Sequence, residues 1–270
     1  MSDATFDAAW LRLREPVDHR SRSRDLEERV RHRGETEGWK RVVDLGGGTG
    51  SNVRHLASRI PWATVWRVVD HDPSLLRSVT PPQGCEIERV EADLASDGLT
   101  WIDDADLVTA SALLDLVSER WLLALASRCA RAGCGVLLAL SVDGTVRWHG
   151  SDDPDDGWIL EAFRRHQTRD KGLGTALGPR AAAVAHKVLA DAGYDTWMRP
   201  SPWVLTGASD AVLAGQWLSG FASAVAEIMP DRRIEIDAWE KRRAGAIATG
   251  DYRLDVGHLD VLALPREPSA

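Results

Sequence analysis

Between residues 41 and 141 the chain alternates short β-branched or apolar runs with amphipathic stretches, and this alternation narrows the possible folds more than any other feature. Runs at 41–45, 64–69, 85–90, 106–110 and 135–140 read as strands. The stretches 51–59, with Val53, Leu56 and Ile60 at helical spacing, 73–79 and 118–130 read as helices. Pro73 suits a first helical turn and Ser118 an N-cap. Strands separated by helices must run parallel, because the chain crosses back over the sheet between them. The run at 135–140 is apolar throughout, as in a strand buried on both faces. With two later extended segments, 194–205 and 253–264, the expectation is an α/β fold: a doubly wound, mostly parallel seven-stranded sheet with helical cap additions.

The additions are read from what breaks the alternation. Residues 1–38 are helical in pattern and Arg-rich, and form an expected N-terminal helical cap. Residues 39–270 then hold the sheet, with helical insertions at about 142–178 and 207–250, the latter interrupted near Pro230. The first insertion opens on the acidic loop Asp152-Asp153-Pro154-Asp155-Asp156-Gly157, and the three segments are expected to meet above one sheet edge. A length of 270 residues with 44% hydrophobic residues can bury a substantial core. The uninterrupted apolar runs are too short to span a bilayer, and no secretion signal is visible at the N-terminus, so a cytoplasmic protein without a membrane partner is expected. A net charge of −8 argues against broad binding of nucleic-acid backbones. Cys85, Cys129 and Cys134 show no zinc or disulfide spacing, and no metal is expected.

The loop after the first strand carries the strongest chemical signal. In Asp44-Leu45-Gly46-Gly47-Gly48-Thr49-Gly50 the glycines allow a sharp turn into a helix and close approach of backbone to a ligand. The spacing Gly46, Gly48, Gly50 fits the dinucleotide fingerprint poorly, and no Lys follows as a P-loop requires. A nicotinamide-dependent oxidoreductase is therefore disfavoured.

This loop resembles motif I of the class I, Rossmann-like methyltransferases that use S-adenosylmethionine. The resemblance covers roughly residues 41–141 and implies S-adenosylmethionine as cofactor, with Asp44, Gly46, Gly48 and Gly50 shaping its pocket. It implies that Asp70, ending the second strand, holds the ribose hydroxyls, with His71 beside it. Asp93 would receive the adenine amino group, Leu94 would offer its backbone amide, and Ser111 would line the methionine end. Taken alone, Asp70 also fits a cap for the helix at Pro73, and Asp93 a turn residue. Arg20, Arg22 and Arg24 could reach the cofactor's carboxylate, Arg24 being the candidate carried forward, or could form a solvated helix face.

Motif I is silent about the acceptor. Ser111-Ala112-Leu113-Leu114 does not resemble the Asp/Asn-Pro-Pro-aromatic tetrapeptide of base N-methyltransferases, so the expected acceptor is an O, N or S atom of a small molecule. Twelve Trp against three Phe and two Tyr, with Trp148, Trp158, Trp203 and Trp217 in the cap segments, fit an aromatic or heteroaromatic acceptor, core packing being the default for each. Candidate bases are His149, His166 and Asp143, with Arg169 and Lys171 as possible anion holders. A lone His equally suits a surface or capping position. Two other readings remain open: an RNA-modifying methyltransferase, resting on the N-terminal arginines, and a cofactor-binding protein without transferase activity.

Overall fold

The computed structural model describes residues 7–96, 98–150, 152–170 and 172–266. Two helices, α1 (Ala8–Ser21) and α2 (Arg24–Glu37), precede the alternating region. That region comprises β1 (Arg41–Leu45), α3 (Ser51–Ala57), β2 (Val65–Asp70), α4 (Pro73–Leu76), β3 (Glu86–Glu91), β4 (Leu107–Ser111), α5 (Glu119–Ala132) and β5 (Gly135–His149). After it come α6 (Asp156–Gln167), α7 (Ala181–Asp191), β6 (Tyr194–Pro200), β7 (Trp203–Thr206), α8 (Gly207–Ile228), α9 (Arg233–Thr249) and β8 (Arg253–Pro265).

The sheet runs β3-β2-β1-β4-β5-β8-β6, with β7 also paired to β8. Strands β1 to β5 pair in parallel, and β8 runs antiparallel to β5, β6 and β7. The chain moves outward from β1 through β2 to β3, then returns to lay β4 on the other side of β1. A crevice opens at such a reversal, beyond the carboxyl ends of the strands. The doubly wound, mostly parallel expectation holds. The sheet has eight strands rather than seven because the extended segment 194–205 divides at Ser201-Pro202, Pro202 having no amide for the ladder. Its two halves bond to different parts of β8.

The stretch 142–149, expected to begin an insertion, continues β5 instead. It pairs with residues 253–258 of β8, after register shifts between Leu138 and Ser141 and between Val142 and Val146. Such bulges bend a strand and re-aim its side chains. Leu140, in the first of them, has φ 55°, and Ala112, just past β4, has φ 53°.

Three apolar cores result. Alternate residues of a strand point to opposite faces. Accordingly Val43, Leu45 and Val108 pack with Leu122 and Leu125 of α5 and with α7. Val42 and Trp66 pack on the other face with Leu26 and Val30 of α2 and Leu56 of α3. Because α2 belongs to this sheet core, a boundary at residues 38/39 separates no independent unit. The third core joins Val17 of α1, Ile159 of α6, Leu213 and Phe221 of α8 and Trp239 of α9 to Trp203, Leu254 and Val256. The separate cap segments thus meet over the β7–β8 end of the sheet. Helix α8 is long and apolar enough, at 22 residues with mean hydropathy 1.2, to cross a membrane by length and composition. Its Leu213, Leu218, Phe221 and Val225 are buried in this third core, while Ser209, Gln216, Ser219, Ser223 and Glu227 face outward.

Trp66 is fully buried, and its indole N–H donates to the Ala63 carbonyl. Truncating such a side chain leaves a cavity that neighbours fill only in part, so Trp66→Ala should lower unfolding free energy by about 3–5 kcal/mol. Urea denaturation followed by circular dichroism measures this.

Candidate functional site

The crevice at the strand reversal is a cleft of about 810 Å³. Its floor is the turn from β1 into α3, its sides are the ends of β2, β3 and β4, and α1 covers it through Leu11, Arg14 and Asp18. Gly46, Gly48 and Gly50 all take positive φ, at 64°, 51° and 79°. A Cβ on Gly47 would lie 2.4 Å from Val68 and 2.9 Å from the Asp44 carboxylate, so the turn tolerates no larger residue there. Gly50 acts differently from the expectation: it caps α3 and faces Val79, outside the cleft lining.

The amides of this turn are already engaged. Gly46 N donates to the Val69 carbonyl at 2.8 Å and Gly47 N to the same oxygen at 3.2 Å. Gly48 N donates to Asp70 Oδ2 at 2.8 Å, and Asp70 Oδ1 accepts from Asp72 N at 2.9 Å. The glycine part of the turn is therefore locked to β2. Asp70 is not the cap of α4, a task performed by Asp72 through Ser74 N and Leu75 N. Asp93 is exposed in the cleft wall, its Oδ1 accepting from Ala95 N as in a turn. His71, Leu94 and Ser111 line the same cleft.

Asp44 is buried and connected inward. Its Oδ1 accepts from Asn52 Nδ2 at 2.7 Å, the same nitrogen donating to Thr109 Oγ1 at 2.9 Å. Asn52 Oδ1 in turn accepts from Arg22 at 2.8 Å. Asp44 Oδ2 has no partner among the described residues. Burial pushes the Asp44 carboxyl up to about 7, with Asp70 adding to the rise and Asn52 and Arg22 opposing it.

A second cavity of about 180 Å³ adjoins the cleft, sharing Arg14, Ala112 and Leu116 with it. Trp10, Phe163, Trp203 and Trp217 supply aromatic walls, and His258 of β8 also lines it. Arg14 is held by Asp18 through Nε at 2.8 Å, and Asp18 also accepts from the Trp203 indole at 2.9 Å.

Several expected residues lie elsewhere. His149, 46% exposed at its side chain, pairs with Asp255 at 2.9 Å at the far end of β5, because the strand carries it past both cavities. His166 pairs with Glu227 on the outer side of α6, although its neighbour Gln167 lines the aromatic cavity. Asp143 accepts from the amide and hydroxyl of Thr145 in a strand bulge and lines neither cavity. Arg24 is exposed at the start of α2, since the helix turns it away from the sheet. Arg20 bonds Asp210 at 2.6 Å and Arg22 is buried on Asn52, so these two are committed within the protein. Arg169 pairs with Glu227, and Lys171 lies outside the described residues. Trp148 and Trp158 pack beneath Arg243 and Arg232. Reading the sequence missed Arg14, Asp18, Asn52, Trp10, Phe163 and His258. Of these, His258 carries a usable signal, a polar residue in an apolar strand.

No protein-family model matches the chain, and no curated protein matches its sequence. Solved structures are similar to it. One is human N-acetylserotonin methyltransferase in complex with SAM, at 20% identity and TM-score 0.42, covering 69% of this chain and 48% of that one. Another is an O-methyltransferase family protein from Burkholderia thailandensis, at 19% identity and TM-score 0.46, covering 71% and 54%. A cyclopropane synthase from Mycobacterium tuberculosis aligns at 12% identity and TM-score 0.49, covering 96% and 94%. The chain spans about half the length of the first two.

An Asp side chain in an unfolded chain ionises near pH 4, as an order of magnitude. Native Asp44 keeps its proton up to about 7, so this group lowers stability progressively as pH rises between the two, and the full penalty remains above. Asp44→Asn removes that penalty. The urea midpoint of the variant relative to wild type should therefore shift in the variant's favour as pH is raised from about 4 to about 8; a constant gap would show that Asp44 does not titrate in this window.

Proposed function

We propose that the protein transfers a methyl group from S-adenosylmethionine to an O, N or S atom of a small molecule seated in the aromatic cavity. The observation that carries this is the charge of the larger cleft. Asp18, Asp44, Asp70, Asp72 and Asp93 all line it, and the glycine amides that would cradle a phosphate are taken by Val69 and Asp70. A pyrophosphate would meet several carboxylates, and the Gly46, Gly47 and Gly48 amides have no hydrogen left to offer it. A ligand bearing hydroxyls, amino groups and a sulfonium offers the donors and positive charge that those carboxylates accept. The unpartnered Asp44 Oδ2 is one further acceptor among the residues lining the cleft.

Residues would divide as follows. Asp70, anchored by two amides and retaining acceptor capacity towards the cleft, holds the ribose; Asp93 and Leu94 flank the adenine; Ser111 and Ala112 border the methionine end. When bound, the cofactor supplies a methyl group already activated on a sulfonium. The protein's part is to align an acceptor with it and to exclude water. The aromatic cavity adjoins the cleft at Ala112 and Leu116, which gives an acceptor a place beside the cofactor and speaks against a purely cofactor-binding role. Because Arg20 and Arg22 are committed to internal partners, an RNA substrate finds no basic stripe at the cleft.

Isothermal calorimetry with S-adenosylhomocysteine tests the reading. The wild-type chain should bind it and should give no heat with NAD. Asp70→Ala should weaken binding by at least about tenfold, the scale of a lost charge-assisted hydrogen bond, while its circular dichroism spectrum stays unchanged. Binding of NAD in preference to S-adenosylhomocysteine would overturn the proposal.

A further inference from the structure

His258 is buried in the wall of the aromatic cavity, 4% exposed, on the strand that pairs with the bulged half of β5. Its Nδ1 lies 3.0 Å from the Val256 carbonyl oxygen. A carbonyl oxygen only accepts, so Nδ1 carries the ring hydrogen and Nε2 is left as a bare acceptor. Among the described residues no donor meets Nε2. The ring lies 5.2 Å from the Trp203 ring, centre to centre. The charged groups around it are Arg14 and Asp18 from α1, paired to each other, and Asp115 beyond β4.

We infer that His258 Nε2 takes the proton of the methyl acceptor, and that the acceptor is a compact aromatic or heteroaromatic molecule bearing an O–H or S–H group. This rests on the transferase reading of the adjoining cleft. As the acceptor atom bonds to the methyl carbon and the carbon–sulfur pair returns to sulfur, the acceptor's bond to hydrogen breaks and its proton passes to Nε2. The methylated product is then neutral, and the imidazolium yields its proton to water when the product leaves.

Burial, with the Arg14 charge adding to it, holds the imidazole down to about 3, so the ring is neutral and ready to accept near pH 7. So weak a base suffices. An oxygen that has just gained a methyl group is a protonated ether, a far stronger acid than an imidazolium, so the proton moves downhill as transfer proceeds. Arg14 then disfavours a lasting imidazolium and speeds its reset. The cavity, about 180 Å³, exceeds only slightly the roughly 150 Å³ that holds one benzene ring, which sets the size of the group it admits. An acceptor without a donor hydrogen, such as a quaternary ammonium ion or an alkene, would leave Nε2 buried and unpaired.

The test compares two isosteres, 4-nitrophenol and 4-nitrotoluene, titrated in slightly acidic buffer against tryptophan fluorescence of the full chain. Wild type should bind the phenol about tenfold more tightly, the worth of one buried hydrogen bond, although an apolar cavity alone would favour the toluene. His258→Phe should abolish the preference while still binding S-adenosylhomocysteine as wild type does. Equal binding of the two probes, no binding of either, or a preference that survives in His258→Phe overturns the inference. Should that variant not fold, the wild-type ¹⁵N spectrum decides: the Nε2 resonance should move with 4-nitrophenol and not with 4-nitrotoluene, and a static resonance overturns the inference. Failure of wild type to bind S-adenosylhomocysteine would instead strike the transferase reading, with the probe result still reporting on Nε2.

Discussion

A guanidinium buried at Arg22 ties together the parts of the chain that make both cavities. It donates to Asn52 at the head of α3 and lies 3.8 Å from the Asp260 carboxylate on β8. Asn52 extends the connection to Asp44 on β1 and Thr109 on β4. Asp260 extends it to the amides of Leu140, in the β5 bulge, and Ser23, between α1 and α2. Buried charges are costly unless paired and hydrogen-bonded, so removing any one member strands the others. The N-terminal helices are thereby fastened over the crevice, and the bulge that opens the aromatic cavity is held at the left-handed backbone of Leu140.

The two cavities have opposite characters, and the division of labour follows from that. The larger is lined by several carboxylates and by a turn whose glycine amides are internally satisfied, a surface suited to donors and positive charge. The smaller is aromatic, with one neutral imidazole, the Arg14 guanidinium and the side chains of Asp115 and Gln167. Both non-glycine residues with positive φ among the described residues, Ala112 and Leu140, line the smaller cavity, and Ala112 lines the larger as well. Strained backbone persists where surrounding structure over-determines it, commonly at functional sites.

Much of this was readable from residue order alone. The β/α alternation set the parallel half of the sheet, because period-2 and period-3.6 patterns separate cleanly there. Gly46 and Gly48 after β1, and Asp70 and Asp93 after the next two strands, fall at strand ends that topology brings to one crevice. The aromatic cavity was much less legible. Trp203 and Trp217 were recognised as cap residues, but Trp10, Phe163 and His258 are brought to one cavity only by packing of three separate segments. Nearness to a strand end in sequence misled for His149 and Asp143, since β5 does not stop at residue 141 but runs on past the crevice. The engagement of the turn's amides by Val69 and Asp70 is likewise a matter of geometry that a glycine spacing does not reveal.

Strand β8 reaches into all three apolar cores: Leu254 and Val256 in the helical layer, Val261 and Ala263 on one sheet face, Leu262 and Leu264 on the other. The helical layer is consequently not a detachable module, for it shares a continuous backbone with the centre of the sheet. A side chain on the faces of α1, α6 and α8 that line the smaller cavity can be exchanged without disturbing a ladder of backbone hydrogen bonds. The strand wall that bears His258 is the side whose backbone is tied into the sheet.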